Sequence, residues 1–295
     1  MTLGPSIFLQ CNNCKKAIEI TTIGSGNIAG ARYWTDGYMF ARMLPSELRF
    51  RKCPHCKVLF WIDDLKKLGE VDWNQGENEK HKEWGKKKHV NDFDLNDYVF
   101  ALHNNFARTG EENEYLRIHA WWAFNHVHRW PPMKRFFFFQ SKPAHIVEVK
   151  DCNNNLIALQ EILDVNVQSE RLLIAEIARE LGRFEECERL LDFEFDESLR
   201  NEKDFILKCC KEKNLIVQDM TDYLNEKQKE AEEKYILQKN KYIEEGINFV
   251  KTQAITKGLA TEDNFYSVIQ NLTVKDFIAL RGDYKDLHTI HFPKT

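Results

Sequence analysis

Four of the eight cysteines stand in two pairs of identical spacing, Cys11-Asn12-Asn13-Cys14 and Cys53-Pro54-His55-Cys56. A thiolate is both a nucleophile and a soft metal ligand, so each pair alone admits two chemistries. As a redox pair, its first thiol must be activated, most simply by the positive end of a helix dipole. As half of a metal site, it forms a tight turn that aims two sulfurs at one point. Two such turns supply the corners of a tetrahedron.

The flanking residues separate these readings. Cys-Pro-His-Cys resembles the active site of DsbA-type thiol oxidoreductases, which implies a strand, the motif and then a helix. Here the alternating stretch 48-LRFRK-52 predicts a half-buried strand before the motif, and 58-VLFWI-62 predicts another after it. The first pair is framed in the same way by the strand-like lead-in 8-FLQ-10 and the alternating 17-AIEIT-21. The expectation is therefore a structural Zn²⁺ held by Cys11, Cys14, Cys53 and Cys56, with a thiol oxidoreductase using Cys53 as the alternative. The arrangement resembles a zinc ribbon, although residues 15–52 form a longer insertion than the commoner spacing of about 15 to 20 residues. His55, inside a turn, is expected to point to solvent.

Four thiolates on Zn²⁺ leave a net charge near −2, which Lys15, Lys16, Arg51, Lys52 and Lys57 are placed to offset. A different reading of the basic strand makes Arg49, Arg51 and Lys52 a nucleic-acid surface. Tyr33, Trp34, Tyr38 and Phe50 are expected in the core rather than on such a surface. Gly24-x-Gly26-x-x-x-Gly30 has the look of a dinucleotide-binding turn, but the helix that mechanism needs does not follow. A hairpin about Asp36-Gly37 is predicted instead.

Stepping outward, the pattern predicts an α+β chain: a small N-terminal antiparallel β zinc ribbon over residues 1–70, then a charged linker over 71–92. A larger α-helical, helical-hairpin domain follows over 93–215, and a long charged helix with C-terminal helices over 216–295. Leu95, Val99, Leu102 and Phe106 recur at helical spacing, and Thr109 with Glu112 suggests a capping box for the next helix. That helix carries His119, His126 and His128, expected as packed or surface groups, and ends at Pro131-Pro132. The run 136-FFFF-139 is expected to be buried between layers or to line a partner groove.

Ser169 is the expected cap of a helix carrying Leu172, Ile174, Ala175, Ala178 and Leu181. Gly182 makes a turn into a second helix carrying Phe184, Cys187, Leu190 and Leu191. The segment 181-LGRFEECERLL-191 resembles the turn and second helix of a tetratricopeptide repeat, which implies a TPR-like, peptide-binding helical surface. A ribbon joined to such helices is similar to uncharacterised bacterial proteins.

The 295 residues are 43% hydrophobic, enough for a substantial core, and the net charge of −4 excludes a uniformly basic nucleic-acid coat. No apolar run approaches the roughly 18 residues of a membrane span. The N-terminal residues lack a secretory leader pattern, so a cytoplasmic protein with no membrane partner is expected. The sequence offers no nucleophile elbow, P-loop or nucleophile beside a base. The leading expectation is a non-enzymatic interaction or scaffold protein that binds a protein or peptide partner, with nucleic-acid binding through Arg49, Arg51 and Lys52 as the alternative.

Overall fold

The computed structural model describes residues 1–45, 49–72, 88–89, 94–129, 148–271, 274–282 and 284. The four-phenylalanine run, Pro131-Pro132 and most of the charged stretch after residue 72 lie outside them. The chain divides into two compact units, Met1–Leu224 and Asn225–Thr295. Small, mostly antiparallel sheets at the N-terminus precede a larger helical region.

Among the described residues, eight strands belong to the first unit: β1 (Thr2–Gln10), β2 (Ala17–Ser25), β3 (Arg32–Tyr33), β4 (Met39–Phe40), β5 (Phe50–Lys52), β6 (Leu59–Trp61), β7 (Lys66–Val71) and β8 (Lys88–His89). The main sheet runs β7-β1-β2-β8. β1 is antiparallel to both neighbours, with Leu9 opposite Ile18 and Gln10 opposite both Ala17 and Lys66. The β1–β2 register shifts between Leu3 and Ser6, around Pro5, whose ring nitrogen has no hydrogen to donate to a ladder. Lys88 and His89, from a basic block, form an edge strand parallel to β2.

The two remaining sheets are two-stranded hairpins, β3–β4 and β5–β6. The first is the hairpin expected about Asp36-Gly37. Gly37 has φ +75, and the Trp34 and Gly37 N–H groups close the loop onto the Tyr38 and Trp34 carbonyls.

Among the described residues, six α-helices follow in this unit: α1 (Leu95–His103), α2 (Gly110–Arg129), α3 (Val149–Gln160), α4 (Gln168–Glu180), α5 (Phe184–Leu191) and α6 (Arg200–Lys211). Asp94 and Asp97 form a full capping box on α1. Thr109 caps α2 by accepting the Glu112 N–H at 3.1 Å, but the returning Glu112 carboxylate takes the Arg108 N–H instead, so the box is only half formed. Ser169 is not a cap. The helix begins one residue earlier, with Val167 at the N-cap and no side-chain cap bond. At the other end Gly182, with φ +76, turns α4 into α5 as anticipated. The two helices share a core of Leu172, Ala175, Ala178, Cys187 and Leu191, joined by Ile206 and Cys210 from α6.

The helices do not form a layer independent of the cysteine-bearing strands. Phe50, Leu59 and Trp61 pack with Tyr98, Ala101, Leu116 and Ala120 in one cluster, and the Trp61 indole donates to the Phe106 carbonyl at 3.0 Å. α7 (Thr221–Thr256) begins at the end of the first unit, and in the second it supplies Val250 and Ala254 to a core with α8 (Phe265–Gln270) and Leu280 of α9 (Val274–Arg281). Among the described residues, no helix is long and apolar enough to cross a membrane.

A buried polar network anchors the β3–β4 loop to the helices. Arg129 donates to both Asp36 oxygens, at 2.9 and 2.5 Å, and both side chains are fully buried. Asn125 donates to Asp36 and Glu180, the Trp122 indole to the Asp36 carbonyl, and Arg129 lies 4.2 Å over the Tyr38 ring. A second buried pair, Glu176–Arg179, is tied to the Asn214 and Ile216 carbonyls. Thr35 exchanges two bonds with Gln218, and Arg32 pairs with Asp219. These contacts make residues 32–40 a wedge between α2, α4 and the chain after α6.

Removing one partner of such a pair strands a buried charge, so Asp36→Ala should lower unfolding free energy by about 3–5 kcal/mol in chemical denaturation. The double variant Asp36→Leu/Arg129→Met should recover most of that loss.

His119 accounts for a second stability term. It stacks on Tyr115 at 3.8 Å, bonds to the Tyr115 carbonyl and packs against Trp122, while burial pushes its imidazole down to about 4. A depressed folded value means the unfolded chain takes up the proton first. This stability is complete above about pH 6.5 and is lost as pH falls toward 4, by about 3 kcal/mol at the end of that window. His119→Phe should flatten this part of the acid-unfolding profile relative to the parent chain.

Candidate metal centre

The two cysteine turns are built alike. Cys11 N–H donates to the Lys16 carbonyl at 3.0 Å and Lys15 N–H to the Cys11 carbonyl at 2.9 Å. Cys53 N–H donates to the Val58 carbonyl, and Lys57 N–H to the Cys53 carbonyl, both at 2.9 Å. The residue after each second cysteine takes a left-handed conformation, Lys15 at φ 58 and Lys57 at φ 64. Such values are uncommon outside glycine, and here they turn the chain so that both sulfurs of a pair face the same side.

The turns then meet across the sheet. Cys11 Sγ lies 3.7 Å from Cys56 Sγ, and Cys14 Sγ lies 3.8 Å from Cys53 Sγ. All four sulfurs fall within 4.8 Å of one another. A tetrahedral ion with sulfur ligands at about 2.3 Å requires sulfurs about 3.8 Å apart, so the cluster has the dimensions of a four-thiolate site. The four residues singled out from the sequence are those the fold brings together. Such a set could hold a metal ion.

Cys11 and Cys53 are buried, while Cys14 and Cys56 are half-buried. Leu9, Ile18, Phe60 and Leu65 wrap the cluster. Burial pushes the Cys53 thiol up. The Asn13 amide, helped by the Val58 N–H, draws the Cys56 thiol down. Thiols crowded this closely do not all ionise by themselves, and a divalent cation relieves both the repulsion and the burial cost.

Comparison with protein-family models, with curated proteins and with solved structures finds no match. What the centre can do therefore rests on its own geometry.

The alternatives raised by the sequence occupy definite places. Cys56 leads through Lys57 into β6, so Cys53 does not stand at a helix N-terminus, and its thiol is shifted opposite to an activated nucleophile. His55 does not reach into open solvent. It is half-buried and bonds through Nε2 to the Ala17 carbonyl at 3.3 Å, bridging the two knuckles outside the sulfur cluster. Lys52 pairs with Asp97 at 2.5 Å, Arg49 lies near Asp63 and Tyr115, and Arg51 is half-buried. The basic strand thus spends Lys52 on attaching β5 to α1. Trp34 and Phe50 are buried as expected, and Tyr33 and Tyr38 are half-buried. Of the histidines on α2, His119 is packed, while His126 and His128 lie on the surface.

Sequence reasoning missed both the Asp36–Arg129 network and the Glu176–Arg179 pair. One signal was available: Glu176 and Arg179 share the helical spacing of Leu172 and Ala175, which places a carboxylate and a guanidinium on the buried face of α4. Asp36 gave no such sign, since Asp before Gly is ordinary turn chemistry.

If the left-handed turns serve the sulfur geometry, Lys57→Gly should keep metal binding and gain up to about 1 kcal/mol of stability. Lys57→Val should weaken metal retention in a chelator competition assay.

Proposed function

We propose that the chain is a zinc-ribbon-containing interaction scaffold, in which a structural Zn²⁺ joins the two knuckles and the helices present a partner-binding surface. The observation that carries the reading is the closed four-sulfur cluster. Its donor set and spacing suit Zn²⁺, and four protein ligands leave no coordination position for a substrate. The metal's part is architectural. It would fix Cys11–Cys14 against Cys53–Cys56 and thereby hold β6 where Leu59 and Trp61 pack on α1 and α2.

The α4–α5 hairpin with α6 supports the interaction half of the proposal. Short antiparallel helices joined at Gly182 are TPR-like in their turn and small-residue packing. At the neighbouring α3–α4 turn, Ile162, Val165 and Val167 stand about two-fifths exposed, an uncommon cluster of aliphatic side chains on a polar surface.

The metal half predicts one zinc per chain by elemental analysis, and a tetrahedral thiolate spectrum when Co²⁺ replaces it. Cys53→Ser should abolish both and sharply lower thermal stability, because a structural site contributes on the order of 10 kcal/mol to folding. Full zinc occupancy in that variant would refute the assignment. For the interaction half, Ile162→Glu/Val167→Glu should lose a partner that the parent chain captures reproducibly, while keeping its zinc and helix content.

A further inference from the structure

β6 is the outer strand of a two-stranded sheet, paired only with β5 among the described residues. The register places Arg51 opposite Phe60, with Cys53 N–H bonded to the Val58 carbonyl and Ile62 N–H to the Arg49 carbonyl. The backbone groups of Val58, Phe60 and Ile62 therefore turn toward β5. Those of Leu59 and Trp61 turn the other way, because antiparallel pairing alternates with a period of two. No hydrogen bond to the Leu59 N–H or carbonyl or to the Trp61 N–H is found among the described residues, while the Trp61 carbonyl opens the short 3-10 turn Ile62–Asp64. Both residues are nonetheless buried, at 8% and 3% exposure.

A cavity of about 440 Å³ opens along this edge. Val58, Leu59, Phe60 and Trp61 all line it. Consecutive strand residues point to opposite faces of a sheet, so four in a row can border one cavity only if it runs along the backbone edge. Asn12 and Asn13 of the first knuckle form one wall, and Asn104, Asn105 and Phe106 after α1 form the other.

We propose that this slot takes an extended, uncharged peptide segment from a partner protein, added as a third strand beside β6. The Leu59 N–H and carbonyl and the Trp61 N–H fall at the spacing of an extended backbone, which is the recognition element of strand addition. The walls explain the peptide's character. The Asn12, Asn13 and Asn104 amides already donate to the Asp64 carbonyl, Cys56 and the Phe100 carbonyl, which leaves their amide oxygens and the Asn105 amide to bond the peptide's backbone. Phe106 offers an apolar contact, and the ionic groups at the rim, Asp64 and Arg108, are already paired at 2.8 Å. The inference extends the scaffold reading by naming a second surface, and uses only its premise that the partner is a protein.

The first test needs no ligand. In hydrogen exchange on the full-length metal-loaded protein, the Phe60 amide should be protected while those of Leu59 and Trp61 exchange faster. Equal protection of all three would show an edge already paired and overturn the proposal.

The second test uses displayed linear peptides selected on the same protein. Selected peptides should protect Leu59 and Trp61, and N-methylation of every second peptide residue should weaken binding at least tenfold. Asn104→Trp, which overhangs the slot from an exposed position, should abolish binding while zinc content and the Ile162/Val167 interaction stay unchanged. Selection of no peptide that protects these amides, or binding indifferent to N-methylation or to Asn104→Trp, would overturn the proposal. The scaffold reading fails separately, through the helical variant or the zinc measurement.

Discussion

Four sulfurs held within 4.8 Å are a constraint the rest of the N-terminal region must serve. Ionised together without a cation they repel, and protonated they donate only weak hydrogen bonds. The cluster is therefore worth building around an ion that accepts four thiolates at once. Everything nearby bends to this requirement. Two lysines take left-handed backbone angles, Asn13 lends its amide to Cys56, and His55 ties the second knuckle to the first strand after Cys14.

The consequence travels outward through β6. Phe60 points toward the cysteines, while Leu59 and Trp61 point toward α1 and α2. One three-residue strand thus belongs to two cores, and the cysteine cluster and the first helical hairpin are mechanically joined. The wedge at residues 32–40 joins them a second time, by different physics. There a buried carboxylate meets a buried guanidinium, and the gain over an apolar contact lies in directionality, since each charge is satisfied in only one docking geometry.

How much of this was legible beforehand follows from the range of the interactions. The cysteine quartet, the flanking strands, the Asp36-Gly37 hairpin and the turn at Gly182 are all local patterns, and each reads directly from spacing and turn chemistry. Ser169 misled because a good capping residue was available two residues past the actual N-cap, Val167. Packing of Leu172 and Ala175 decides where α4 begins, and the cap has no vote against it.

The sequence by itself determined which side chains carry the chemistry and which short segments are strand or helix, because thiol identity, alternation and helical spacing are properties of neighbours along the chain. Only the tertiary structure decided that Asp36 would meet Arg129, that Lys52 would pair with Asp97, and that the edge of β6 would border a cavity beside the cysteine cluster. Those outcomes depend on residues from about 45 to nearly 100 positions apart arriving at the same place, and no periodicity in the chain records such a meeting.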